Sequence, residues 1–353
     1  MPMFMSRVLS GSHLERRGAI LFALAAVAVM LEVAAGAGLA YLAGFSRVRA
    51  TLGDFHWVWM IALCGALFVS FAGYYYAYRG IFRVAGGPRL ARYQMLAVVA
   101  AGFGGFLAHG GGGLDQYALK AAGADDKDAK ARAAGLAGLE HGVLAIGGCA
   151  AAIVALVAVL SKPAPDFTLP WAIIPIPGFL IAFWVAERYR GRFRGRDGWR
   201  GFLGTFLESI HLIRELFVHP LRWGPAIAGM ALFWAADAFA AWAGLAAFGF
   251  EMNAAALFVG FATGMVFTRR TGPLAGAGIL ALVLPLTLLY SGAPFAAAIV
   301  GIFAYRILAL LLPMPASLAV LPTLRKMGEP VPHAEGVAEA PDEPALQRRS
   351  QTA

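Results

Sequence analysis

In a chain as apolar as this one, the residues able to do chemistry are those whose charge must sit in or beside hydrocarbon. Placing a charge there costs from about 2.5 to over 10 kcal/mol, so each such group calls for a partner or a wet cavity. Asp115 follows four consecutive glycines, Gly110 to Gly113, in the stretch HGGGGLDQYALKAAG (109–123). Glu140 and His141 fall in the next apolar helix, and Arg269 and Arg270 stand beside a second break, TRRTGPLAGAG. Arg306 lies inside the last long apolar run, while Glu32 and Asp237 interrupt two others. Acids dominate the first break and arginines the second. Facing one another, they would pair together or grip a zwitterionic or anionic headgroup, and the planar guanidinium fork suits phosphate.

Each group also has a plainer use. Asp115 can be an N-cap for the helix that follows it. Arg269 and Arg270 can mark a helix end at the membrane interface, and Glu32 and Asp237 can be hydrogen-bonding glue between helices. His109 reads as an interfacial or hydrogen-bonded histidine, and Glu140 beside His141 offers too few ligands for a metal. The two cysteines, Cys64 and Cys149, read as small core residues. GxSxG, HExxH and Walker patterns are absent, and GFGGFLAHGGGG has no strand–helix nucleotide domain around it. The expectation is a non-enzyme with no cofactor and no metal.

The elements that position these residues are membrane helices. Sixty per cent of the 353 residues are hydrophobic and 14% are charged, with a mean hydropathy of +0.69; soluble domains carry about 25% charged residues. Apolar stretches at roughly 18–44, 56–78, 133–160, 170–186, 223–250 and 294–321 each suit a hydrocarbon core about 30 Å thick. The first is longer than the apolar region of a signal peptide and reads as a retained helix. Two further regions, about 93–123 and 254–291, hold short apolar arms around a glycine break. They are predicted to be re-entrant hairpins, because non-helical backbone at membrane depth must line protein or a wet cavity.

Charge sets the expected orientation. Net charge is +9; Arg79, Arg83, Arg89 and Arg92 occur without an acid, and six arginines in 187–200 face only Glu187 and Asp197. The segment 161–170 is neutral and 249–253 is acidic. The positive-inside rule then places both termini in the cytoplasm of a multi-pass inner-membrane protein. These arginines read as orienting loop charge that attracts anionic lipid, with no nucleic acid as partner.

The two broken regions match weakly at an offset of 165 residues: Gly111-Gly112-Gly113-Leu114 with Gly276-Ala277-Gly278-Ile279, Leu119 with Leu284, and Glu140-His141 with Tyr305-Arg306. Inverted repeats with interrupted helices meeting near the midplane are a recurring transporter plan. The predicted fold is an all-α integral membrane protein of about eight hydrophobic elements, two of them re-entrant hairpins, arranged as an inverted repeat. Residues 1–17 form a cytoplasmic segment and 18–160 the first half. Residues 161–200 are a central span and basic loop, 201–219 an interfacial amphipathic helix, and 220–326 the rest of the second half. Residues 327–353, rich in proline and acids, lack the apolar content to fold.

The segment GGGLDQYALKAAGADDKDAKARAAGLAGLEHGVL, with TRRTGPLAGAG and the closing AYRILALLLP, resembles the lysylphosphatidylglycerol synthase transmembrane-region family, also called flippase-like. The resemblance extends by layout over about residues 15–327. It implies a membrane protein that moves or presents a phospholipid or lipid-linked headgroup. Gly111, Gly113, Asp115 and Glu140 fall in the first implied lipid-binding motif, and Arg269, Arg270, Gly276, Gly278, Tyr305 and Arg306 in the second. Bifunctional members append a soluble aminoacyl-transferase domain, which is not expected in this chain, so the resemblance does not imply lysylphosphatidylglycerol synthesis. The glutamate that many relatives carry after the second glycine turn is absent, where this chain reads Gly278-Ile279-Leu280-Ala281. Translocation between leaflets is the expected activity, a scaffold that presents lipid to a partner enzyme is the alternative, and self-association is left open.

Overall fold

The computed structural model describes residues 14–104, 111–158, 168–193, 196–265 and 273–327. Among the described residues every regular element is helical. Five helical stretches are long and apolar enough to cross a membrane: those of α1 (Leu14–Ala43), α3 (Trp57–Arg83), α6 (Asp126–Ala158) and α10 (Pro220–Ala246), and Phe295–Ala319, which opens with α13 (Phe295–Leu311). In hydrocarbon the backbone must satisfy its own hydrogen bonds, which favours long uninterrupted helices. Their outer faces stay apolar: Phe22, Leu42, Ile61, Phe68, Val154 and Val157 are all exposed. Lipid covers such surfaces in a membrane-embedded bundle.

The fourth predicted span, 170–186, is not a long apolar helix. It breaks at Ile174 into α7 (Thr168–Ile173) and α8 (Pro175–Phe193). Pro175 cannot donate a backbone hydrogen bond, and the last turns of α8 carry Glu187, Arg188, Arg190 and Arg192. A short helix, α2 (Phe45–Thr51), follows α1.

Helices α3 and α10 form the centre and run antiparallel. Trp59 meets Trp242 at one end, with ring centroids 5.0 Å apart. Further along, a Cβ added to Gly73 would lie 2.5 Å from the Gly229 carbonyl oxygen, and one added to Gly229 would lie 2.6 Å from that of Gly73. Gly80 faces Ala226 just beyond. Small residues let two backbones approach this closely where no hydrophobic force drives association.

Around this pair sit four short helices: α4 (Arg92–Gly102), α5 (Gly112–Ala121), α11 (Ala254–Gly264) and α12 (Ile279–Tyr290). They hold 11, 10, 11 and 12 residues. At 1.5 Å per residue each is about 15–18 Å long, half of what a span needs. Consecutive members pack together, α4 on α5 and α11 on α12. The approach to α12 passes through left-handed backbone at Gly276 (φ 70°) and Gly278 (φ 76°), which glycine adopts without penalty.

The amphipathic helix expected at 201–219 is α9 (Gly198–Val218). It buries Leu207, Leu212, Ile213 and Leu216 and packs on α6 and α8. The chain ends in α14 (Met314–Ala319) and α15 (Leu321–Met327), which lie against α4. The Ser317 hydroxyl donates to the Ala100 carbonyl of α4 at 2.6 Å. The predicted cytoplasmic segment 1–17 lies largely outside the described residues, as does the predicted tail except for Met327.

Candidate functional site

The site is built from charges buried between apolar helices, and two tyrosines on α3 organise the first group. Tyr74 and Tyr78 are one helical turn apart and therefore share a face. The Tyr74 hydroxyl donates to Glu140 Oε2 of α6 at 3.1 Å. The Tyr78 hydroxyl donates to Asp115 Oδ1 of α5 at 2.7 Å. Trp234 Nε1 of α10 donates to the Glu140 backbone carbonyl at 2.7 Å. Two carboxylates from successive helices are thus strung along α3, and α10 grips the turn that carries one of them.

Asp115 is 2% exposed. The residue at the N-cap of α5 is Gly111, so Asp115 stands inside the helix and the capping reading fails. Its position near the N-terminus still favours a negative charge through the helix dipole. Among the described residues nothing lies within 4 Å of a Cβ added at Gly112 or Gly113. Just before the first break, the Phe103 ring meets those of Tyr74 at 5.0 Å and Phe71 at 5.7 Å.

The second group hangs from α13. Consecutive residues point about 100° apart around a helix, so Tyr305 and Arg306 reach different neighbours. The Tyr305 hydroxyl donates to Asp237 Oδ2 of α10 at 2.9 Å. Arg306 Nε donates to Glu32 Oε1 of α1 at 3.0 Å, and Nη2 donates to the same oxygen. Arg306 is 1% exposed and Glu32 is fully buried. A chain of ring contacts joins the groups: Tyr74 to Phe233, Phe233 to Trp234, Trp234 to Phe261 and Phe261 to Tyr305.

The sequence-predicted residues therefore divide. Asp115 and Glu140 come together along α3, and Tyr305 and Arg306 anchor the second group. Gly111 and Gly113 open α5, and Gly276 and Gly278 lead into α12 beside α1, where an added Cβ at Gly278 would lie 3.3 Å from the Leu31 Cβ. Gly110, His109, Arg269 and Arg270 lie outside the described residues. His141 turns to its own helix, with Nδ1 2.8 Å from the Ala137 carbonyl. Among the described residues, no three acids, histidines or cysteines are grouped to hold a metal.

Sequence reasoning passed over Tyr74 and Tyr78. Their signal was available: polar-tipped aromatics four apart inside an apolar run. It also passed over Arg132, which is buried at the C-terminal end of α3. There Nη1 donates to the carbonyls of Ile81, Phe82 and Val84 at 3.1, 3.2 and 2.8 Å, while Nε donates to Asp128 at 2.8 Å. A cation in that place satisfies carbonyls that the helix end leaves open. An apolar cavity of about 160 Å³, lined by Leu67, Phe71, Phe103, Leu312 and Pro313 among others, adjoins the first group.

No family model matches this chain, and no curated protein matches it.

Proposed function

We propose that this protein moves a phospholipid or lipid-linked headgroup between the leaflets of the cytoplasmic membrane. The observation that carries the reading is the set of charged and hydroxyl-bearing side chains buried inside an apolar bundle, beside helices too short to cross it. Buried ionisable groups at membrane depth are costly and are characteristic of substrate pathways. The short pairs α4–α5 and α11–α12 fit re-entrant hairpins whose breaks line a cavity. The arginines at 269 and 270 hold the headgroup phosphate in this scheme, the side-chain-free backbone of residues 111–113 lets it approach closely, and Asp115 and Glu140 supply the polar wall. The acyl chains stay in lipid.

An inverted-repeat arrangement is supported by the exchange of partners between the two groups. Under the 165-residue offset Glu140 corresponds to Tyr305, and Asp237 stands two positions from the equivalent of Tyr74. Each half thus has one tyrosine–carboxylate bond between matching long helices, with donor and acceptor exchanged. The antiparallel α3–α10 crossing suits such a pseudo-two-fold. The resemblance to the flippase-like family points the same way.

The test is reconstitution into liposomes with a panel of lipids labelled in one leaflet. The expected result is leaflet exchange faster than in protein-free liposomes for at least one phosphate-bearing lipid. Exchange at the protein-free rate for every lipid in the panel would overturn translocation, and lipid retention without exchange would leave a presenting scaffold.

A further inference from the structure

The corner between α3 and α4 concentrates positive charge that no ion pair among the described residues answers. Arg79 and Arg83 stand four residues apart on α3, a like-charge spacing that destabilises a helix. Arg92 is the first residue of α4, where the helix dipole disfavours a cation. Arg89 lies in the connection and is exposed. Among the described residues the groups that act on Arg83 are Arg79, Arg89, Arg92 and Tyr75, and none of them is a carboxylate. Arg83 Nε is buried from solvent and makes no hydrogen bond. None of the four is needed as a helix cap, because Arg132 already takes the carbonyls of Ile81, Phe82 and Val84.

The corner itself is held in one shape. Ala85 (φ 50°) and Gly86 (φ 77°) make a left-handed turn, and the Arg132 guanidinium fills the space beside Gly87. Four guanidiniums are therefore gathered on a fixed frame at a cost in stability, one of them with a dry, unused donor. A phosphate would offset the repulsion and accept from several forks at once.

The surroundings say which phosphate. Helix α3 is a membrane-length apolar helix ending at this corner. Tyr76, Tyr93 and Leu96 are exposed around it, and exposed tyrosines at the end of a span mark the headgroup level of a bilayer. We infer that Arg79, Arg83, Arg89 and Arg92 form a binding site for the headgroup phosphate of an anionic phospholipid, separate from the buried acid–tyrosine groups. The inference rests on membrane embedding alone and not on translocation.

The experiment is native mass spectrometry of the detergent-solubilised protein with phosphatidic acid and phosphatidylcholine of identical acyl chains. Wild type is expected to retain phosphatidic acid preferentially. A basic residue near a membrane surface contributes about 1 kcal/mol, roughly a fivefold change, so Arg83→Gln and, at the exposed position, Arg89→Gln should each lower that preference about fivefold. Arg89 is exposed and makes no hydrogen bond or ion pair among the described residues, so its variant keeps the test valid if Arg83→Gln misfolds. Equal retention of the two lipids by wild type, or an unchanged preference in the Arg83→Gln/Arg89→Gln double variant, would overturn the site. Inorganic phosphate is the other source of the same chemistry. If it displaces the lipid and raises the Tm of lipid-free protein at the concentrations where phosphatidic acid does, the assignment to a lipid headgroup is wrong.

Discussion

Arg306 and Glu32, 274 positions apart, form a fully buried ion pair that ties α1 to α13. Helix α1 is otherwise a peripheral element, resting on α13, α12 and the turn at Pro273–Gly276. Glu32 Oε2 has no hydrogen-bond partner among the described residues, so the pair is strong by proximity rather than by full satisfaction. Removing one member of a buried pair costs about 3–5 kcal/mol. Glu32→Gln should therefore lower stability by about that much in detergent, measured by thermal or denaturant unfolding. The double variant Glu32→Leu/Arg306→Met should recover most of the loss, since apolar replacement of a buried pair is often neutral. Unchanged stability of Glu32→Gln would show that α1 does not depend on the pair.

Much of this architecture is legible in the residues, and the exceptions have physical causes. The long helices follow from run length, because lipid demands apolar side chains all round. The stretch at 170–186 misleads because its composition is apolar while Pro175 and the arginines beyond Glu187 shorten the usable helix. Asp115, Glu140, Tyr305 and Arg306 stand out because a charge or polar tip in hydrocarbon needs a reason. Their partners do not stand out. Nothing local says that Arg306 meets Glu32 rather than an acid of the first hairpin, since that choice is made by packing between helices hundreds of residues apart. Tyr74 and Tyr78 hide among the other aromatics and aliphatics of α3, which look equally at home in lipid. Capping by Asp115 looks right locally and is wrong because α5 starts earlier, at Gly112.

The α3–α10 crossing yields a second prediction. Gly73→Val should separate the two central helices, because its Cβ alone would lie 2.5 Å from the Gly229 carbonyl oxygen and 2.7 Å from the Phe233 backbone nitrogen. Both are backbone atoms that cannot rotate away. Overpacking of this kind costs about 1–3 kcal/mol or more. Gly65→Val on the same helix, where nothing lies within 4 Å of an added Cβ, is the control and should leave stability within about 0.5 kcal/mol. Equal unfolding temperatures for the two variants would show that the glycine contact is not what seats α3 on α10.

Gly113 separates structural from functional use of the glycine run. It lies inside α5 and no described residue comes within 4 Å of an added Cβ, so Gly113→Ala meets no clash among the described residues. Alanine is favoured over glycine inside a helix by about 0.5–1 kcal/mol, and the variant should be slightly more stable than wild type. If the bare backbone admits a headgroup, lipid exchange in liposomes should nevertheless fall. Higher stability with undiminished exchange would mean that the glycines serve the chain turn alone.

Asp115 gives the sharpest separation of roles. Asparagine keeps the Oδ1 acceptor that Tyr78 uses but removes the charge, whereas Tyr78→Phe keeps the charge and removes the donor. Losing a hydroxyl donor to a buried carboxylate costs about 1–3 kcal/mol, so Tyr78→Phe should lower unfolding stability by about that amount and reduce lipid exchange only in part. Asp115→Asn should fold, because the tyrosine bond survives and the residue at the N-cap is Gly111 rather than Asp115. Its lipid exchange should nevertheless be largely lost if the carboxylate is part of the polar wall that meets the headgroup. Asp115→Glu should retain some exchange, since charge is preserved at a displaced position. Wild-type exchange in Asp115→Asn, alongside a destabilised Tyr78→Phe, would reduce the acid to an anchor for α5 against α3 and remove it from the lipid path.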